Sequence, residues 1–231
     1  MKNYAVNNGT THYKKVQMRD ELGQIVERDL FDYYEPKKPD EYVFIIVDHV
    51  SLLDPENGLK ERENIMKLSK YMVELRNKYN YSPVVVQQQS TETQSLEAFK
   101  SNKIRPTVTG LSDSKYTGRD CQIMLGITNP HSHELPEYLG YNIKKLKDKA
   151  RFLEIVINRN GIANSICPLY FEGATCTFRE LPKPNDTEAI SKVYEYNERC
   201  MQNNTNLFAF SKYSDKLKRR RILHKLFHLF H

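Results

Sequence analysis

The stretch YVFIIVDHVSLLD, from Tyr42 to Asp54, is an apolar run that delivers one carboxylate, Asp48, before continuing into a second apolar segment. Val43 to Val47 are β-branched or aromatic and do not alternate with polar residues, which predicts a parallel strand buried on both faces. In open α/β sheets ligands bind at the carboxyl ends of such strands, and an Asp there can hold the water shell of a Mg²⁺ ion. The same pattern also suits an Asp that merely caps the following turn, so neighbouring segments must decide between the two.

Outward from that run, Glu61 to Tyr79 places Ile65, Leu68, Met72, Leu75 and Tyr79 at helical spacing and predicts an amphipathic helix. Tyr81, Ser82 and Pro83 end it, and Val84 to Gln89 (VVVQQQ) opens as another buried strand with a polar end. A strand, helix and strand in this order predict a crossover unit with Asp48 and Gln89 on one rim. Ser90 to Lys103 lacks an apolar period and reads as an exposed loop. Cys121 to Ile127 is apolar again, and Ala150 to Asn158, Ser165 to Glu172 and Thr175 to Arg179 are split by short turns, as antiparallel edge strands are. Pro182, Pro184 and Asn185 mark a boundary, followed by helical segments over about Thr187 to Met201 and Leu207 to Phe230. The first 41 residues read as polar and irregular; Tyr13 to Met18 and Gln24 to Phe31 are compatible with short strands or with one helix.

Composition narrows the class. The 231 residues are 39% hydrophobic and 28% charged, a globular balance, and no run approaches the 18 or so apolar residues of a membrane span. No signal peptide opens the chain, and four Cys without CxxC spacing predict reduced thiols, so a cytoplasmic location is expected. The net charge of +6 permits a polyanionic partner, although much of it sits in KLKRRRILHK, Lys216 to Lys225. That basic amphipathic stretch suits a DNA-backbone contact, a docking helix, a membrane-surface segment or packing on its own domain. His224 and His228 stand at i, i+4, but without an acidic or Cys companion they predict no metal site.

Four segments in order carry a resemblance: IIVDHVSLL, PVVVQQQ, RPTVTGLSDSKYTGRDCQIMLGI and LEIVINRNG with FEGATCTFREL. Together, over about Tyr42 to Leu181, they resemble the carboxyl half of the RecA-like motor domain of hexameric replicative DNA helicases, the DnaB family and its tailed-phage relatives. The resemblance implies that Asp48 is the Walker B carboxylate holding Mg²⁺ through water, that Gln89 senses the γ-phosphate of ATP, and that Arg159 in the NRNG turn is an arginine finger acting on the adjacent subunit. Arg105, Pro106, Leu111, Asp113, Ser114 and Asp120 match the segment before the next strand, whereas Ser112, Lys115 and Arg119 depart from it and Ile157 replaces a Lys. It further implies that Lys100, Lys103, Arg105, Lys115 and Arg119 face single-stranded DNA in the channel of a homo-oligomeric ring in a bacterial or phage-infected cell.

The expected fold is a partial RecA-like three-layer α/β architecture with a mainly parallel twisted sheet, antiparallel edge strands and a helical tail. Its segments are an irregular 1–41, a motor half 42–181 and a tail 182–231. No GxxxxGK[ST] phosphate loop occurs, and Glu21, Glu27, Asp29 and Asp32 have no context that nominates a general base. Part of an ATP-dependent helicase, completed by a chain that carries the loop, and a non-catalytic DNA-binding or partner-docking module, whether fragment or degenerate relative, therefore stand as alternatives.

Overall fold

In the computed structural model, the described residues are 2–54, 56, 58–89, 104–111 and 115–203. Lys100, Lys103, Ser112, Asp113, Ser114 and the basic stretch beyond residue 203 lie outside them. The described residues form two compact units, one from within 2–89 and 111–121 and the other from within 104–110 and 122–203.

The first unit opens with helix α1 (Lys2–Asn8) and a long antiparallel hairpin, β1 (Gly9–Arg19) with β2 (Ile25–Pro36), in place of the irregular 1–41 segment the sequence suggested. The turn decides this outcome. Asp20 accepts through Oδ1 from the N–H groups of Leu22 and Gln24, both at 2.9 Å, and Gly23 takes the left-handed φ of 78° that a side chain would resist. Cross-strand ion pairs at 3.0 Å, Lys14–Asp32 and Lys15–Glu27, occupy positions where a half-buried strand would carry apolar groups. With little of the ribbon buried, the alternation that reveals a strand is absent.

Strands β3 (Phe44–Val47) and β4 (Ser82–Val85) pair in parallel, Ile46 opposite Val84 and Val47 opposite Val85, joined by helix α2 (Glu61–Tyr79). Helix α2 starts where the Lys60 N–H donates to the Glu63 carboxylate at 2.9 Å and stops at left-handed Asn80. Its buried face, Ile65, Met72 and Leu75, packs with Ile45, Tyr81 and the half-buried Val47 and Val85. The opposite face of the pair is uncovered, Phe44 being 55% and Ile46 68% exposed, so β3 is not buried on both faces as its composition suggested. An apolar run reports how many faces could be buried, and only the tertiary structure reports how many are.

After the short helix α3 (Tyr116–Asp120), the second unit is built on an antiparallel sheet in the order β10 (Thr177–Glu180), β9 (Ile166–Glu172), β8 (Ala150–Asn158), β5 (Ile123–Thr128). The turns joining β8, β9 and β10 are too short for a crossover, so the strands must reverse direction. Between β5 and β8 lie the two-residue strands β6 (Glu137–Tyr138) and β7 (Tyr141–Asn142) and helix α4 (Ile143–Leu146). Helix α5 (Thr187–Asn203) completes the described part, its Asn197 fully buried and donating to the carbonyls of Lys145 and Leu146 at 2.7 and 3.1 Å. Phe152, Tyr141, Tyr170 and Leu146 centre the core. The architecture is mixed α/β and only partly parallel: among the described residues one strand pair is parallel, where a mainly parallel sheet was expected.

Candidate functional site

Two parallel strands carry Asp48 and the three glutamines to one rim of the first unit. The Val86 N–H donates to the Val47 carbonyl at 2.9 Å and the Val50 N–H donates to the Val86 carbonyl at 3.2 Å, so the chains leave the ladder side by side. Asp48 follows directly, exposed, and a 3-10 turn from buried Val50 to Leu52 draws the chain away. Gln89 forms an antiparallel bridge with Leu111. The neighbouring Gln87 accepts from the Thr117 hydroxyl, which fastens α3 to the strand end.

Helix α3 is anchored on its other side to α2. Ser69 Oγ donates to Asp120 Oδ2 at 2.8 Å, and Arg76 donates to the Asp120 carbonyl at 3.2 Å. Arg119 lies over the Tyr116 ring at 4.5 Å with its side chain largely exposed. Lys115 and Arg119 are thus held on a short helix pinned to the strand end that bears Gln87. Asp120, matched by the sequence pattern, acts here as the acceptor that holds this helix.

The second unit holds the other two cations among the described sequence-derived candidates. Arg105 donates through Nε to Glu154 Oε2 at 3.0 Å and through a terminal nitrogen to Oε1, a two-point pair with a carboxylate only 5% exposed. The hydrogen bond to Glu154 raises the Arg105 pKa, opposed by burial. Its charge is committed to this pair, which ties the 104–110 segment to β8. Pro106 packs so closely on β5 that a Cβ at Gly126 would lie 2.3 Å from its Cβ. Sequence reading missed this pair, although a lone carboxylate inside the apolar LEIVI run was the available signal.

Arg159 follows β8 in a turn organised by Asn158, which is 8% exposed. Asn158 Oδ1 accepts from the Asn160 N–H at 3.1 Å and its Nδ2 donates to the Ile162 carbonyl at 3.3 Å. The Arg159 N–H donates to the Gln122 carbonyl at 3.0 Å, which leaves the residue exposed at the end of β8.

The donor set was weighed against a divalent cation. Among the described residues no group of three or more His, Cys, Asp or Glu side chains is placed to hold a metal. The residues fit the other mode of Mg²⁺ binding, in which one carboxylate and substrate phosphates share the ion, because Asp48 is an exposed carboxylate at a strand end. Among the described residues no helix is long and apolar enough to cross a membrane.

No protein-family model matches the chain, and no curated protein matches it. Among solved structures it is similar to the ATPase domain of a DnaB-like helicase, at 16% identity and a TM-score of 0.50, over 63% of this chain and 47% of that one. A second DnaB-like replicative helicase, solved in a study of its interactions with primase, gives 17% identity and a TM-score of 0.48 over 59% of this chain and 30% of that one. The chain thus spans less than half the length of either. What the first likeness shows is the fold: over 63% of its residues the chain is built like that ATPase domain.

Proposed function

We propose that the chain is part of an ATP-dependent DNA helicase motor that couples nucleotide hydrolysis to movement along single-stranded DNA. The observation that carries this reading is the parallel β3–β4 pair, which delivers Asp48 and Gln87 to Gln89 to one rim, in a chain with the fold of a helicase ATPase domain. In this reading residues 42–181 are the motor half. Asp48 holds Mg²⁺ through water, Gln89 contacts the γ-phosphate, and Arg159 acts on the nucleotide of an adjacent copy in a ring. The ion, when bound with ATP, neutralises charge on the phosphates. Lys115 and Arg119, with Lys100 and Lys103, contact the DNA backbone; Arg105 is left to Glu154. The tie from Thr117 to Gln87 gives the DNA-facing helix a direct connection to the strand that ends in the sensor.

One observation favours a second reading, a DNA-binding or docking module that does not hydrolyse ATP by itself: the chain has no GxxxxGK[ST] segment to cradle the β- and γ-phosphates. Both readings share the DNA contact, and ATP turnover separates them. The purified chain alone is expected to show no ATP hydrolysis; mixing with a polypeptide that carries a phosphate loop is expected to restore it, and Asp48→Asn to abolish it again. Turnover by the chain alone that survives Asp48→Asn removes Asp48 from the mechanism.

Binding to a fluorescent single strand is expected to fall steeply with salt. Lys115→Ala and Arg119→Ala should each reduce the log–log slope by about 0.7. An unchanged slope and affinity take this helix out of the DNA path.

A further inference from the structure

The β1–β2 hairpin is used by neither reading, and its distal half is stabilised by very little. Lys14–Arg19 and Ile25–Leu30 extend roughly 20 Å past the part of the ribbon held by Tyr34 and Tyr79, and only Val16 and Val26 of these residues are even half-buried. A two-stranded ribbon standing alone in water is marginal. This one presents Met18, Leu22 and Ile25 at its tip, Leu22 being 83% exposed, where an arm that faced only water would carry polar groups.

The same unit holds an apolar surface of matching character. Phe44, Ile46, Val84 and Val86 project from the uncovered face of the β3–β4 pair, and a parallel pair is ordinarily covered on both faces. Each copy of the chain therefore offers one apolar tip and one apolar face. We infer that the hairpin tip of one copy docks on the β3–β4 face of a second copy, a head-to-tail contact that repeats from copy to copy.

Charge selects this occupant over nucleic acid. From Gly9 to Pro36 the hairpin has six carboxylates against four Lys and Arg, a net −2 in a chain of net +6, so the remainder stands at +8. An arm of that sign is repelled by a phosphate backbone and attracted to another copy of this chain.

Sedimentation velocity and light scattering of the full chain at micromolar concentration test the contact. The wild type is expected to self-associate, and the double variant Leu22→Asp/Ile25→Asp, altered only at exposed turn-proximal positions, to do so at least about 30-fold more weakly. The face variant Ile46→Lys is expected to lose association equally. Mixing the two variants should give a dimer that grows no further, since one intact tip and one intact face remain. Should Ile46→Lys fail to fold, a photo-cross-linker at position 22 of the otherwise native chain is expected to label the peptide containing Phe44–Val47 of another copy. A chain that stays monomeric, an association untouched by the tip variant, or a cross-link mapping elsewhere overturns the inference. None of these outcomes alters the salt dependence of DNA binding or the effect of Asp48→Asn, so this contact and the helicase reading fail separately.

Discussion

Two antiparallel ribbons, β1–β2 and β8–β9, share one backbone pairing and differ in what stands behind them. The β8–β9 ribbon has Phe152 and Tyr170 buried to 2% and 3% exposure against a helical layer, and its alternating pattern was legible in the sequence. The β1–β2 ribbon has almost nothing behind its distal half and carries charged pairs where an apolar stripe would lie, so its pattern concealed the strands. The difference teaches that the alternation used to recognise a strand records burial of one face. Where burial is missing, the turn is the remaining signal, here Asp20 to Gly23.

The comparison breaks hardest at the core of β8. Phe152→Ala removes a ring packed against Tyr138 and Tyr141 and is expected to cost about 3–5 kcal/mol, read as a fall in the denaturant midpoint of the second unit. A loss below about 1 kcal/mol would mean that this ribbon, like the other, is held by its pairing alone.

A smaller effect belongs to the ion pair on β8. Arg105→Ala leaves the Glu154 carboxylate buried without its partner; because Arg105 itself is 43% exposed, the expected loss is about 2 kcal/mol rather than that of a fully enclosed pair. Adding Glu154→Gln should recover part of it. No recovery would show that Arg105 stabilises through its stem packing instead of its charge.

The smallest expected change concerns the exposed ribbon. Asp20→Ala deletes the acceptor of two N–H groups and should cost about 1 kcal/mol, visible as faster hydrogen exchange at distal hairpin amides while the global midpoint stays fixed. Exchange that stays at the wild-type rate would mean the cross-strand pairs hold the arm without its turn.

The candidate site divides along the same line. Asp48 and Gln89 were readable because a short apolar strand has a polar end, and a helix between two such strands carries both ends to one rim. The anchoring of α3 through Ser69–Asp120 and Thr117–Gln87 was not readable, since each bond joins residues far apart in sequence whose side chains have many alternative partners. Arg105 shows the cost of reading charge without burial: basic residues near a loop look alike in sequence, and only the position of Glu154 inside β8 commits one of them to an internal pair.

Local physics was therefore enough for α2 from Glu61 to Tyr79, for the strands around Asp48 and Gln89, and for the antiparallel run β8 to β10 with its short turns. Each depends on periodicity, caps or loop length within one stretch of chain. Tertiary structure alone decided that β3 has one bare face, that the parallel portion is a single pair, and that the amino-terminal segment stands as a hairpin. Those outcomes depend on which surfaces meet across the fold, and hydropathy along one chain is silent about a partner that is distant in sequence or absent.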